Sequence, residues 1–153
     1  MTKKLVLTVG NEMMGDDAAG PMLARMLERL PLHGWEVLDG GSAPENYVHK
    51  IREMAPEQVL IVDAADMELS VGEISRIDRE QISSLFLVTT HSLPLSYLIE
   101  SIGEFVPCVD MIGIQPGTVA FGYPVSAQVK SAVERVYCWL QENLDGRGTP
   151  KPI

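Results

Sequence analysis

The sequence contains no long apolar run. None of its apolar stretches approaches the ~20 consecutive residues that a membrane-spanning helix needs. Its first four residues lead into a strand-like stretch without the small-residue cleavage site of a secretory signal. We therefore expect a cytoplasmic protein with no membrane anchor.

Positive charge is also scarce, with 12 Lys and Arg against 21 Asp and Glu and a net charge of −9. Nucleic acids and anionic membranes bind basic surfaces, because such surfaces neutralise phosphate groups. The charge balance therefore argues against both as partners. A protein or a metal-bearing partner is compatible with it.

Cysteine is rare as well. Cys108 lies in an apolar run and Cys138 lies in a helical pattern. Neither has the short CxxC spacing of a zinc or redox motif. We expect two buried, reduced thiols.

The 153 residues, 46% of them hydrophobic, supply enough apolar material for one core but not for two. Residues 1–144 are therefore predicted to form a single α/β domain. Residues 145–153 contain two glycines and two prolines, and they are predicted to form a disordered tail.

Apolar runs and helical stripes alternate along the chain. Buried strands are predicted at 5–9, 35–38, 59–62 and 106–114, and a half-exposed edge strand at 73–77. Helices are predicted to start between Asp17 and Pro21, behind a capping box at Ser42, after Ser92 and at Ser126. The apolar stripe of the first helix ends at Leu30, and those of the last two contain Leu95, Leu98, Ile99 and Ile102, and Val129, Val133, Val136, Leu140 and Leu144. Since parallel strands need crossover connections, this order predicts an α/β fold of three layers. Its mostly parallel, twisted sheet would be flanked by helices on both faces.

Ionisable residues follow the predicted strands, where open α/β sheets bind their ligands. These residues are Asp16 and Asp17 after the first strand, Asp39 at the end of the second, Asp63 and Asp66 after the third, and His91 before a later helix. Carboxylates crowded without Lys or Arg repel one another, so a cation is expected among them. Two carboxylates and a neutral imidazole would suit zinc, nickel, iron or manganese, but without a thiolate they would hold such an ion weakly.

Each of these residues also has a purely structural interpretation. Asp17 would cap a helix, Asp39 would form a turn before Gly40 and Gly41, Asp63 would accept backbone N–H groups, and His91 would lie on a surface loop. These alternatives weaken jointly, because unrelated turn residues need not all fall on one edge of one sheet.

Two other kinds of site are disfavoured. The loop from Gly10 to Asp17 has neither GxGxxG spacing nor a P-loop lysine, and its three acidic side chains would repel phosphate. No GxSxG motif supports a serine nucleophile. A nucleotide-binding domain is therefore the weakest hypothesis.

Five motifs occur in order along the chain. They are Gly10-Asn11-x-Met13-Met14-Gly15-Asp16-Asp17, Asp39-Gly40-Gly41-Ser42-Ala43-Pro44-Glu45-Asn46, Ile61-Val62-Asp63-Ala64-x-Asp66-Met67, Thr89-Thr90-His91-x-x-Pro94-Leu95 and Gly113-Ile114-Gln115-Pro116. With them the chain resembles the nickel-iron hydrogenase maturation endopeptidases, especially the type that serves hydrogenase 3 of formate hydrogenlyase. The resemblance extends from Val6 to about Leu140.

The resemblance implies that Asp17, Asp63 and His91 bind metal and act in catalysis. The metal would be nickel already placed in the large-subunit precursor of the hydrogenase, with no tightly held resident metal, and cleavage would remove the precursor's C-terminal extension. Water activated by a carboxylate, as in aspartyl proteases, and a scissile carbonyl polarised by nickel are both compatible with these residues. Asp39 and Gly41 lie beside this site and are expected to guide the substrate, since glycine allows close backbone approach.

Two competing hypotheses belong to other classes. One is a nickel-binding assembly factor that docks on the hydrogenase and cleaves nothing. The other is an ordinary metallohydrolase with a resident metal.

Overall fold

The computed structural model describes residues 3–78, 80–81 and 95–143. Among these residues, five strands lie at Lys4–Thr8 (β1), Trp35–Asp39 (β2), Gln58–Ala64 (β3), Ile74–Ile77 (β4) and Cys108–Ile114 (β5). The α-helices of the described ranges include Ala19–Arg29 (α1), Val48–Met54 (α2), Leu95–Gly103 (α3) and Ala127–Glu142 (α4). Short 3-10 turns at Gly15–Ala18 and Pro44–Tyr47 precede α1 and α2.

The strands form one sheet in the order β2-β1-β3-β5-β4. β1 lies between β2 and β3, parallel to both, and β3 is parallel to β5. β4 runs antiparallel to β5 at the edge, where its alternating polar and apolar residues fit a half-exposed strand. The predicted α/β fold with a mostly parallel sheet is confirmed.

Helices cover both faces of this sheet. Val6 packs with residues of α1 and α4 on one face, whereas Leu5 and Leu7 pack with α2 and α3 on the other. Successive side chains of a strand point to opposite faces of the sheet. Because residues 5–7 are all apolar, β1 contributes side chains to both apolar layers. The result is the predicted three-layer arrangement.

The apolar stripes predicted for the last two helices are confirmed except at Leu144, which lies outside the described residues. The buried residues include Leu95, Leu98, Ile99 and Ile102 in α3 and Val129, Val133, Val136 and Leu140 in α4. Ser126 is the N-cap of α4, as predicted, and its Oγ accepts the N–H of Val129 at 3.4 Å.

Other helix predictions were wrong at their ends. Ser42 is not an N-cap, because a 3-10 turn begins at Pro44 and no side chain caps it at Ala43. Leu30 was assigned to the inner stripe of α1, but it lies just past the helix end and is exposed. Local pattern predicted the elements better than their boundaries.

The prediction of two buried thiols was also wrong, because Cys108 and Cys138 are exposed. Cys108 is the first residue of β5 and therefore lies at the start of the strand. Cys138 lies two residues after Val136, which turns it by about 200° away from the buried stripe of α4.

No helix within the described ranges is long and apolar enough to cross a membrane. The predicted cap at Ser92, the predicted ligand His91 and the predicted tail at 145–153 lie outside the described residues.

Candidate active site

Asp17 and Asp63 lie on neighbouring elements at the edge formed by the carboxyl ends of the parallel strands. Asp63 is near the end of β3, and Asp17 is in the Gly15–Ala18 turn, which packs against β3. Both carboxylates are buried, and Asp63 has no exposed surface. The fold therefore brings these two predicted site residues to one edge.

The turn that carries Asp17 depends on close backbone contacts. A Cβ on Gly10, whose φ is +144°, would lie 2.1 Å from the carbonyl oxygen of Asp17. A Cβ on Gly20 would lie 2.2 Å from the carbonyl oxygen of Val9. Glycine at both positions lets the start of α1 approach the end of β1.

The side chain of Asp17 faces its own loop. Its Oδ2 accepts the N–H of Asn11 at 2.8 Å. The N-cap of α1 is Ala18, and no side chain makes a capping hydrogen bond there. The alternative in which Asp17 caps the helix is therefore wrong.

Asp16 has a different role from its neighbour Asp17. One of its oxygens, Oδ1, accepts the N–H of Ser126 at 2.6 Å, and the other accepts the N–H of Gly117 at 2.8 Å and the hydroxyl of Ser126 at 2.9 Å. A carboxylate that accepts three hydrogen bonds is held firmly in place. Asp16 thus attaches the Asp17 turn to the segment between β5 and α4.

Asp39 forms a turn, as its structural interpretation proposed. Its Oδ1 accepts the N–H of Gly41 at 3.0 Å, and its Oδ2 pairs with Arg25 Nη2 at 2.9 Å. The carbonyl of Gly41 accepts the N–H of Gly10 at 2.9 Å, which joins the loops after β1 and β2.

The backbone at Gly41 is open to a ligand. Its φ is +58°, and a Cβ built there would have no described atom within 4 Å. The hydrogen bond to Gly10 places this open backbone beside the loop that carries Asp17. Gly41 therefore lies beside the loop that carries Asp17, and its role in guiding substrate stays a prediction.

Asp66 and Gln115 stabilise the loop that follows β3. The buried Gln115 accepts the N–H groups of Met67 and Leu69 through Oε1 and donates through Nε2 to Asp66 Oδ1 at 3.1 Å. The N–H of Glu68 and this amide donor lower the pKa of Asp66, in that order of size. Asp66 is exposed, and its hydrogen bonds stabilise the loop after β3. It is not one of the two buried carboxylates.

A family model described as hydrogenase maturation protease matches residues 21–142. That span runs from α1 to the end of α4. The chain belongs to the hydrogenase maturation protease family.

Relatives of this maturation protease agree in sequence and in fold. The hydrogenase 3 maturation protease of Escherichia coli K12 is 50% identical over 144 residues, covering 94% of this chain and 92% of that protein. The solution structure of an endopeptidase from Escherichia coli is 48% identical, with a TM-score of 0.89 and coverage of 99% and 96%. A [NiFe] hydrogenase maturation protease from Thermococcus kodakarensis is 32% identical, with a TM-score of 0.83 and coverage of 95% and 94%.

These similarities confirm the predicted relationship to the hydrogenase 3 type and the predicted peptidase activity. The protein is therefore an enzyme, a hydrolase acting on a peptide bond.

The predicted ligand set of this protease is described only in part. Asp17 and Asp63 share an edge of the sheet, whereas His91 lies outside the described residues. Within the described part of the chain, no three His, Cys, Asp or Glu residues are grouped closely enough to hold a metal ion. The metal-binding and catalytic roles of Asp17, Asp63 and His91 stay predictions.

The sequence did not predict the roles of Asp16 and Gln115, which both stabilise loops near the candidate site. Asp16 was grouped with the other carboxylates that follow the strands, but it binds the segment before α4. Gln115 was part of a motif without an assigned function, and it stabilises the loop after β3. A polar residue directly after a buried strand was the only available signal for Gln115.

Proposed function

We propose that this protease removes the C-terminal extension of a nickel-iron hydrogenase large-subunit precursor after nickel insertion. In this proposal Asp17, Asp63 and His91 recognise the nickel that the precursor carries. Asp39 and Gly41 guide the segment to be cleaved. We place the reaction in the cytoplasm, where the two exposed thiols would stay reduced.

The burial of Asp17 and Asp63 at one edge of the sheet, in a chain of the hydrogenase maturation protease family, carries this proposal. Burial disfavours the charged form of a carboxylate, and an approaching divalent cation favours it. A metal ion brought by the substrate would therefore bind best to carboxylates that are shielded from bulk water. Asp17 and Asp63 are buried carboxylates of this kind.

The source of the metal follows from the chemistry of the donors. Two carboxylates and one imidazole offer three bonds and no thiolate, so nickel would bind them weakly and exchange with solvent. The same nickel already held by cysteines of the precursor needs only part of its coordination from the enzyme. Binding would then report that nickel has been inserted.

Two routes for the hydrolysis fit this arrangement. A buried carboxylate would accept a proton from the attacking water, or nickel would polarise the scissile carbonyl. Either route requires the scissile bond to lie beside Asp17 and Asp63. Both predict that replacing either residue affects processing more than folding.

The test is to incubate the purified protein with nickel-loaded and nickel-free precursor and to measure the product by mass spectrometry. We expect loss of the C-terminal segment only from the loaded precursor, even after the enzyme alone has been treated with chelator. Asp17→Asn, Asp63→Asn and His91→Ala should each abolish cleavage. Glu12→Gln, which changes an exposed carboxylate on the same loop, should cleave normally.

Other results would favour the competing hypotheses. Efficient cleavage of nickel-free precursor would contradict nickel recognition and favour a resident-metal hydrolase. Tight binding of the loaded precursor without any mass change would favour a non-catalytic assembly factor.

A further inference from the structure

Exposed apolar side chains are concentrated at the edge of the sheet that holds Asp17 and Asp63. Seven large hydrophobic residues are exposed among the described residues. Five of them lie on loops that leave the carboxyl ends of β1, β3 and β5, and they are Met13, Leu69, Val71, Phe121 and Tyr123. The other two, Leu30 and Tyr97, lie at α1 and α3.

The loops that carry these residues are joined by contacts. The N–H of Gly122 donates to the carbonyl of Met13 at 2.9 Å, so the peptide between Phe121 and Tyr123 binds the loop of Asp17. A Cβ on Gly117 would lie 3.3 Å from Cγ1 of Val71, which places the loop after β3 against the same segment. We call the surface formed by Met13, Val71, Phe121 and Tyr123 the apolar rim.

The most prominent part of the apolar rim is aromatic. Phe121 is 71% exposed and Tyr123 is 58% exposed, and Met13 beside them is 53% exposed. Contiguous exposed apolar side chains on a soluble protein mark binding surfaces more often than single ones do. Aromatic residues and methionine are also the types enriched at the centres of protein interfaces.

The segment of the apolar rim that carries Phe121 and Tyr123 is also uncharged. No residue from Met111 to Val129 carries a charge, although the whole chain has a net charge of −9. A partner of this surface therefore gains little from electrostatic attraction. The chemistry fits an apolar, uncharged stretch of polypeptide.

We infer that the apolar rim docks an uncharged, apolar stretch of the hydrogenase precursor next to the bond to be cleaved. The inference rests on the proposed function, because it takes the precursor as substrate. Met13 precedes Asp17 by four residues on one loop, so a segment bound on the rim lies beside the candidate site. A second copy of this chain bound there would instead cover the site and block the substrate.

The matched test removes the two aromatic side chains. The Phe121→Ser/Tyr123→Ser double variant should raise KM for nickel-loaded precursor by about tenfold or more, because truncating interface aromatics commonly costs at least that much affinity. Its kcat should stay within about twofold of wild type, and its melting temperature should change little, since both side chains are exposed. The control is Leu30→Ser, which removes a side chain that is 63% exposed at the other end of α1 and should leave KM unchanged.

The outcomes separate this inference from the proposed function. An unchanged KM in the double variant, with wild-type protein cleaving normally, overturns the docking inference alone. If wild type binds the precursor without cleaving it, and the double variant binds at least tenfold more weakly, the docking inference stands and the proposed function falls. Self-association of wild type that the double variant loses, without any change in KM, assigns the rim to a second copy and overturns docking.

Discussion

Asp16 accepts hydrogen bonds from both the backbone N–H and the hydroxyl of Ser126, at 2.6 and 2.9 Å, across 110 residues of chain. The same hydroxyl oxygen accepts the N–H of Val129 as the N-cap of α4. One serine therefore connects the start of the last helix to the residue beside Asp17. The position of a proposed nickel ligand depends on a contact made near the other end of the domain.

Asp16→Ala should lower the free energy of unfolding by about 2–4 kcal/mol, because it leaves the N–H groups of Ser126 and Gly117 without their charged acceptor. Ser126→Ala removes the helix cap and one of the three hydrogen bonds, and should cost about 1 kcal/mol. Urea denaturation of both variants measures the difference. An equal loss of unfolding free energy in the two variants would show that the Asp16 carboxylate contributes no more stability than the Ser126 cap.

Asp39→Asn tests whether the carboxylate guides the substrate or only forms the turn. The amide oxygen of asparagine still accepts the N–H of Gly41, so stability should change by less than about 1 kcal/mol. We expect the processing rate or the choice of precursor to change. Arg25→Gln is the control, because it breaks the ion pair with Asp39 and keeps the carboxylate. If Asp39→Asn processes the precursor normally but is less stable, forming the turn is the only role of the Asp39 carboxylate.

Gly41→Ala tests close approach of substrate backbone. Its cost in stability should be about 1 kcal/mol, because the φ of +58° strains an L-residue while the new methyl meets no described atom within 4 Å. Gly34→Ala is the comparison, because Gly34 also has a positive φ, +89°, and no described neighbour, but it precedes β2 and so lies at the amino ends of the strands. Kinetic comparison should show reduced processing in Gly41→Ala only. Equal processing by the two variants would contradict close approach at Gly41.

The hydrogen bonds to Asp66 predict a local dependence on pH. The N–H of Glu68 and the amide of Gln115 hold the pKa of Asp66 below its ordinary 3.8. The ionised form therefore stabilises the loop above this ordinary value, and the contribution is lost as the pH falls through the lower pKa of the folded state. In an NMR titration the Glu68 amide should shift with a midpoint below 3.8, and Asp66→Asn should abolish that shift. A midpoint at or above 3.8 would contradict the hydrogen-bonded arrangement.

The sequence predicted the sheet well because its signals are local. A run such as Leu5 to Leu7 can be buried only where both faces of the sheet are covered, and helical stripes such as that of α4 identify an inward face. The rule that ligands bind at the carboxyl ends of strands then placed Asp17 and Asp63 at one edge. None of these steps needs a distant contact.

The roles of individual carboxylates could not be predicted in the same way. Asp16 and Asp17 are chemically identical neighbours, and their different roles come from partners that are 101 and 110 residues away from Asp16. The pairing of Asp39 with Arg25 likewise depends on how α1 packs beside β2. Such contacts are properties of the packed fold and leave no local pattern.

The hydrogen bonds between Asp16 and Ser126 also bear on synthesis at the ribosome. A growing chain can pair β1, β2 and β3 before residue 126 has been made, but its Asp16 carboxylate then lacks both donors of Ser126. The turn that carries Asp17 is held by all its partners only after the start of α4 emerges. A protease assembled in this order completes its candidate site late, so prematurely terminated chains should be inert fragments and not unregulated peptidases.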